Sequence, residues 1–186
     1  MKPKKQKTRS GPVDANELDA AALRYLDRFD SSAANLRRVL SGYLKRAGLE
    51  RGTDAIQAGT ALIDGLIARY RESGVLNDAR FAETLASGLR RRGSSRRAIL
   101  ERLRARGVTS EVATLAVGEA DEAGGGDAEL VAARAFARRR RLGPHRPEAE
   151  RAANRRRDLA ALARAGFGFD VARRALGSTG DDDEEW

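Results

Sequence analysis

The sequence predicts an all-α protein, an elongated array of three tandem three-helix repeats with about nine helices. The 186-residue chain is 41% hydrophobic but only 5% aromatic. Its core is therefore expected to consist of Leu, Ala, Val and Ile, which favours helices over a strand-rich sandwich. Apolar residues recur at helical spacing between capping residues and glycines. This pattern also returns at a constant interval, which indicates repeats.

Three features recur together at an interval of 59 residues. Gly48, Gly107 and Gly166 are each predicted to end a middle helix. A leucine stands four residues before each glycine (Leu44, Leu103 and Leu162), and an arginine pair stands ten and eleven residues before it (Arg37 and Arg38, Arg96 and Arg97, Arg155 and Arg156). The predicted repeats are residues 16–74, 75–123 and 124–177. Units this small gain stability by stacking on their neighbours.

The first repeat is expected to form helices at residues 16–29, from a cap signal at residues 30–32 to Ala47, and from residues 52–54 to Gly74. The residues expected to be buried are Leu18, Ala22, Tyr25, Leu26 and Phe29 in the first of these helices, and Ile56, Leu62, Ile63, Leu66, Ile67 and Tyr70 in the third.

The second repeat begins at a cap formed by Asn77 or Asp78. Its first helix presents Phe81, Leu85 and Leu89 on one face and ends at Gly93. Ser94 or Ser95 caps the next helix, which buries Ile99, Leu100 and Leu103 and ends at Gly107. A third helix, from Thr109 or Ser110 to Ala123, is expected to bury Val112, Leu115, Ala116 and Val117.

The third repeat follows a break at residues 124–126. Helices are predicted at residues 127–142, 147–165 and 169–176, with a turn at residues 143–145. A basic tail, residues 1–15, and an acidic tail, residues 178–186, are predicted to be disordered.

Charge is unevenly distributed along this chain, whose net charge is +9. Residues 78–106 hold nine arginines and three acids, and residues 134–164 hold eleven arginines and three acids. The intervening residues 109–130 hold six acids and no basic residue, which predicts that basic and acidic charge are segregated. A surface of this kind attracts phosphates or an acidic protein, although a solvated helical face is an equally good interpretation of any single run.

The predicted binding residues centre on the helix–helix corner at residues 90–97, whose side chains splay from one point. They are Arg90, Arg91, Arg92, Arg96, Arg97, Arg104, Arg138, Arg139, Arg140 and Arg141.

Catalytic and metal-binding patterns are missing from the sequence. The chain has no cysteine and one histidine, His145, which excludes a zinc site of the usual kind. No phosphate loop, dinucleotide fingerprint or nucleophile elbow is found. We therefore expect a protein that is not an enzyme and that needs no cofactor. The absence of cysteine, of a secretory signal and of an apolar run of about 18 residues predicts a cytoplasmic location.

Residues 75–108, with their flanks, resemble the RecX family of regulatory proteins. The matching stretches are Gly-Val-Leu-Asn-Asp-Ala-Arg-Phe-Ala at 74–82, Arg-Arg-Gly-Ser-Ser-Arg-Arg at 91–97 and Leu-Arg-Ala-Arg-Gly-Val at 103–108, with weaker echoes at 22–26 and 165–176. The resemblance implies three tandem three-helix repeats. It also implies a protein that binds the RecA recombinase filament along its groove, limits the ATPase, strand-exchange and coprotease activities of RecA, and binds DNA. We expect the protein to be a monomer.

Two other functions are compatible with the basic sequence. A RecA-independent DNA-binding protein could use the three-helix units as helix-turn-helix readers, but the chain is poor in the Asn and Gln that read adenine. A scaffold protein could use the same basic surface to bind a different acidic partner.

Overall fold

The computed structural model describes residues 13–51 and 54–177, and all regular structure in these residues is helical. The helices are α1 (Ala15–Leu26), α2 (Ala33–Arg51), α3 (Asp54–Glu72), α4 (Asp78–Arg91), α5 (Arg96–Ala105), α6 (Ser110–Ala123), α7 (Ala128–Arg140), α8 (Glu148–Arg164) and α9 (Phe169–Leu176), with a short 3-10 turn at Gly143–His145. The predicted all-α fold is confirmed. Within the described ranges, no helix is long and apolar enough to cross a membrane. Residues 1–12 and 178–186, which make up most of the two predicted tails, lie outside the described residues.

The chain divides into two compact units, residues 1–78 and 79–186. In the first unit, α3 lies against both α1 and α2. Leu18, Leu36, Leu40 and Ile63 are nearly fully buried at the centre of its core. Asp78 is the last residue of this unit, and its carboxylate accepts a hydrogen bond of 2.7 Å from the N–H of Ala33. The same carboxylate therefore serves the first turn of α2, whose N–H groups lack partners within the helix.

The second unit contains two hydrophobic clusters. One lies among α4, α5 and α6 and includes Phe81, Ile99 and Val117. The other lies among α7, α8 and α9 and includes Leu162 and Phe167. With the core of the first unit, the described residues thus form three clusters, one for each successive set of three helices. The repeat boundaries given above stay a prediction.

Two of the three spaced glycines follow helix ends as predicted, and the third does not. Gly107 and Gly166 come after α5 and α8 with φ angles of +75° and +91°, which glycine adopts readily because it has no Cβ. Gly48 lies inside α2, which continues to Arg51, so the predicted helix end is wrong. A Cβ on Gly48 would lie 2.6 Å from the side chain of Ile56, so this glycine serves helix packing instead.

The helix starts agree with local capping chemistry. The side chains of Ser95 and Thr109 accept hydrogen bonds from the N–H groups of Ala98 and Val112, and Asp127 does the same for α7. Each satisfies one N–H that has no partner within its helix. The predicted opening of α3 at Gly52 and Thr53 falls outside the described residues.

Three apolar side chains predicted to be buried are exposed: Phe29 (51%), Leu62 (36%) and Leu115 (64%). Phe29 follows the end of α1 and therefore does not lie on the buried face of that helix. The centre of its ring is 5.2 Å from that of Tyr25. The core face of α6 is formed by residues 113, 116, 117 and 120, and a residue at position 115 points away from that stripe. Leu62 lies in the same way beside the buried stripe of α3.

A buried carboxylate closes the connection between α7 and α8. Asp158 is 1% exposed and accepts hydrogen bonds from the guanidinium of Arg146, at 2.9 and 2.8 Å, and from the N–H of Gly143, at 2.8 Å. Burial by itself raises the pKa of the Asp158 carboxyl, but the hydrogen bonds from Arg146 and Gly143 outweigh it and hold the pKa below its ordinary value.

We predict that Asp158→Asn destabilises the protein by about 3–5 kcal/mol at neutral pH, because it leaves Arg146 without its partner. Because the pKa of the Asp158 carboxyl is lower in the folded protein than in the unfolded chain, the stabilisation by ionised Asp158 is complete above the unfolded pKa of about 3.9. This stabilisation is lost as the pH falls below that value. Urea unfolding of both proteins should therefore show a difference in stability that shrinks at acidic pH. The exposed Glu119 provides the control Glu119→Gln, and a difference that stays constant with pH contradicts this account.

Candidate functional site

The structure divides the arginines of the helix–helix corner at residues 90–97, called the α4–α5 corner below, into internal and external groups. Arg91, Arg92, Arg96 and Arg97 are exposed. Arg90 is only 8% exposed. Residues of the same type, adjacent in the sequence, therefore have different roles.

The guanidinium of Arg90 joins three helices of the second unit. It pairs with Asp121 of α6 through one terminal nitrogen, and with Glu129 of α7 through the other. The second nitrogen also donates to the backbone oxygen of Ser94 at 3.1 Å. A buried charge requires such partners, because its transfer out of water costs several kcal/mol. Arg90 is thus a structural cation, and its burial leaves it unavailable to a partner.

The backbone of the α4–α5 corner is also held by the third set of helices. The N–H of Arg96 donates to Glu129 at 3.1 Å, and the hydroxyl of Ser95 donates to the carbonyl of Ala165 at 2.7 Å. Arg139 of α7 donates to the carbonyl of Arg92. These three polar groups of the corner are therefore satisfied by α7 and by the loop after α8, whereas the buried Nε of Arg90 has no hydrogen-bond partner among the described residues.

Two glycines allow this close approach. A Cβ on Gly93 would lie 2.9 Å from the carbonyl oxygen of Ala132, and a Cβ on Gly166 would lie 2.6 Å from the hydroxyl oxygen of Ser95. Both residues also have positive φ angles. The motif Arg-Gly-Ser-Ser-Arg is therefore explained by packing between helix sets.

The predicted segregation of basic and acidic charge is wrong at this corner. Asp121 and Glu129 belong to the acidic stretch 109–130, yet both contact Arg90, and Asp121 also pairs with the side chain of Arg96 at 2.7 Å. Tertiary packing brings opposite charges together there because a buried cation needs counter-ions.

Other predicted arginines are exposed around the corner. Arg96, Arg97 and Arg104 border a depression of about 550 Å³ that also contains Glu101, Asp121 and Glu129. Arg97 pairs with Glu101 at 3.0 Å, and both side chains are more than half exposed. Exposed pairs of this kind contribute little to stability. This depression therefore presents both charges to a partner.

The four arginines at the end of α7 that are predicted to bind a partner, residues 138–141, are exposed on more than one side of the helix. Arg138 borders a depression of about 460 Å³ with Arg134 and His145. The guanidinium carbons of Arg139 and Arg140 lie 5.6 and 5.7 Å from the ring centre of Phe136, at distances typical of cation–π contacts. Arg141 ends the helix in a left-handed conformation, with φ of 53°. The four arginines thus do not form a single site.

A second arginine group borders what we call the inter-repeat cleft, a cavity of about 520 Å³ beside the α4–α5 corner. It is lined by Gly93, Ser94, Ala98, Phe136, Arg139, Arg140, Leu142, Ala161, Arg164 and Ala165. These lining residues include three arginines and no carboxylate. Arg164, at the end of α8, was missed by sequence reasoning because it is one of many arginines, and only the fold places it beside Arg139 and Arg140.

The exposed arginines of the α4–α5 corner, the end of α7 and the inter-repeat cleft are suited to binding anions. Within the described residues, no group of three or more His, Asp and Glu side chains could hold a metal ion. His145 is exposed and lies in the turn between α7 and α8. Exposed guanidinium groups bind carboxylates and phosphates with good geometry.

Comparison with known proteins gives three matches. Residues 77–117 match the family model for the second three-helix domain of RecX. The chain is 40% identical over 182 residues to the regulatory protein RecX of Myxococcus xanthus (strain DK1622), a match that covers 95% of each chain. It is 34% identical over 113 residues to the regulatory protein RecX of Agrobacterium fabrum (strain C58 / ATCC 33970), covering 59% of this chain and 56% of that one. No solved structure matches the chain.

We predict that Arg90→Gln lowers the free energy of unfolding by about 3 kcal/mol, because it leaves two partly buried carboxylates without their shared cation. Arg91→Gln, a neighbouring change on the exposed side, should stay within about 0.5 kcal/mol of the unchanged protein. Urea unfolding followed by circular dichroism measures both. Equal stabilities of the two variants would contradict the structural role of Arg90.

Proposed function

Because the chain belongs to the RecX family of regulatory proteins, we propose that it binds the RecA recombinase filament and inhibits its ATPase, strand-exchange and coprotease activities. It would thereby regulate DNA repair, recombination and the SOS response in the cytoplasm. The observation that carries the proposal is the 40% identity, over nearly the whole of both chains, to a protein named for regulation. The protein acts by binding and not by catalysis.

The exposed arginines of the second unit provide the physical basis for binding. Arg91, Arg92, Arg97 and Arg104 surround the α4–α5 corner, and residues 138–141 with Arg164 add further positive charge. A basic surface of this kind speeds the encounter with a negatively charged assembly and depends strongly on salt. A filament of protein and DNA offers both carboxylates and phosphates to these guanidinium groups.

In the proposed mechanism, one molecule lies in the filament groove as a monomer and contacts several RecA protomers. The exposed arginines contact acidic protein surface and DNA phosphates. Arg90 does not contact the partner but acts as a positioning residue, because it fixes α6 and α7 against the corner. Each phosphate neutralised on duplex DNA should lower the logarithm of affinity by roughly 0.9 per tenfold rise in salt.

We predict that DNA-stimulated ATP hydrolysis by the cognate RecA falls when this protein is present at less than one molecule per RecA protomer, since each bound molecule affects several protomers. The measurement is a titration of initial rates, with binding to DNA alone followed in parallel by mobility shift. An unchanged rate together with intact DNA binding would contradict regulation of RecA and favour the DNA-binding alternative.

A matched pair of charge reversals tests the surface. Arg104 lies on the face of α5 that borders the depression with Arg97, whereas Arg102 lies on another face of the same helix and is also exposed. Arg104→Glu should weaken binding to the filament by about tenfold, equivalent to about 1.4 kcal/mol. Arg102→Glu carries the same change in charge. It should leave the affinity for the filament within about twofold, because a surface substitution away from the binding face usually has only a small effect. If both reversals weaken filament binding equally, the surface around Arg104 attracts the filament only through non-specific charge, which would contradict the prediction.

The alternative is a RecA-independent DNA-binding protein built of helix-turn-helix-like units. The exposed arginine run at the end of α7 is the observation that favours it. Arginine alone reads guanine or phosphate ambiguously, so binding to the DNA backbone is expected. DNA binding in the mobility-shift assay together with an unchanged rate of ATP hydrolysis by RecA would favour this function, and footprinting would then show whether a defined sequence is protected.

A further inference from the structure

The inter-repeat cleft differs in charge from the depression around Arg97 and Arg104. That depression contains three carboxylates, which already balance part of its positive charge. The cleft has Arg139, Arg140 and Arg164 on its border, and none of its lining residues is acidic. Because no described residue beside them in the cleft carries a negative charge, these three cations attract an anionic group.

The rest of the cleft is apolar. Phe136, Leu142, Ala98, Ala161 and Ala165 contribute to its walls, and small residues of the α4–α5 corner complete them. A volume of about 520 Å³ lies within the usual range for sites that enclose a small group of atoms, roughly 300–1,000 Å³. The cleft therefore suits a ligand that combines negative charge with an apolar side chain.

The surroundings of Phe136 favour a peptide over a nucleic acid. Proteins that bind single strands usually offer an open aromatic ring on which a base stacks. The ring of Phe136 instead contacts the guanidinium groups of Arg139 and Arg140 and forms a T-shaped pair with Phe167, whose ring centre is 5.8 Å away. Arg139 already donates to the carbonyl of Arg92, whereas Arg140 and Arg164 have no carboxylate beside them among the residues that line the cleft, and its apolar walls suit an apolar side chain.

We infer that the inter-repeat cleft binds an acidic peptide segment of the protein partner, with carboxylates at Arg139, Arg140 and Arg164 and one apolar side chain inside the cleft. This inference rests on the proposed function, in which that partner is the filament protein. It assigns the cleft to protein recognition and leaves DNA phosphates to the other exposed arginines. Arg164 joins the binding residues on this basis.

The direct test uses the full chain and a fluorescein-labelled peptide, Asp-Asp-Asp-Glu-Glu-Trp, with fluorescence anisotropy as the readout. The sequence of this peptide is that of residues 181–186, which combine acids with an aromatic residue. Arg140→Gln combined with Arg164→Gln should weaken binding at least about tenfold. Neither change removes a hydrogen bond of the α4–α5 corner, so the fold should be retained, as circular dichroism can verify.

Two controls separate the cleft from general attraction between charges. Arg24→Gln combined with Arg102→Gln removes the same charge from exposed positions elsewhere and should leave peptide affinity within about twofold. A peptide with Ser in place of Trp should bind several-fold more weakly, because it lacks the apolar group. Equal weakening by both double variants, or equal binding of both peptides, would overturn the inference.

Two further outcomes name other occupants. If the cleft variant loses binding to an oligothymidylate of equal charge but keeps peptide binding, the cleft is a phosphate site and the inference is wrong. If a chain shortened after residue 177 binds the peptide much more tightly than the full chain does, the cleft is occupied by the chain's own acidic residues, which overturns the assignment to a partner.

The ATPase titration then distinguishes failure of the inference from failure of the proposed function. If the unchanged protein inhibits RecA and the cleft variant needs at least about tenfold more protein for the same inhibition, both stand. Equal inhibition by the two proteins would overturn the role of the cleft and leave the proposed function intact. If the unchanged protein does not inhibit RecA, the proposed function fails, and the peptide measurement, which needs no filament, still decides the chemistry of the cleft.

Discussion

The guanidinium of Arg90 is the interaction on which the second unit depends. Its two terminal nitrogens contact Asp121 of α6 and Glu129 of α7, so one side chain of α4 holds two other helices. Replacing a buried ion pair by apolar residues can be neutral, but removing one partner is costly. This geometry is therefore a constraint on position more than a source of stability. It places α7, with Arg139 and Arg140, beside the α4–α5 corner and so creates the inter-repeat cleft.

Local features of the fold could be predicted from the sequence because their causes are local. Ser95 and Thr109 cap the helices that follow them, and Gly107 and Gly166 have the positive φ angles of helix ends. Gly48 has the same spacing but lies within α2, because the space it leaves is filled by a side chain of α3. Capping is determined by a few neighbouring residues, whereas contact between helices depends on residues that are distant in the sequence.

The site could be predicted only in part, for the same reason. The sequence predicts that the arginines of the α4–α5 corner bind a partner, but it cannot show that Arg90 is buried and Arg91 is exposed. Their difference comes from Asp121 and Glu129, which lie on other helices. Arg164 was missed because its place beside Arg140 exists only in the folded unit. Composition predicts the sign of the surface charge, and tertiary structure decides which charges remain available to a partner.

In the proposed function, the arginines of the second unit divide between internal support and contact with a partner. Hydrogen exchange of the protein, alone and bound to a RecA–DNA filament, tests this division most directly. The amide of Arg96, which donates to Glu129, should be protected in the free protein and change little on binding. Segments bordering the cleft, at the ends of α7 and α8, should gain protection when the filament is bound. Rapid exchange at the corner in the free protein, or no change around the cleft on binding, would contradict the account.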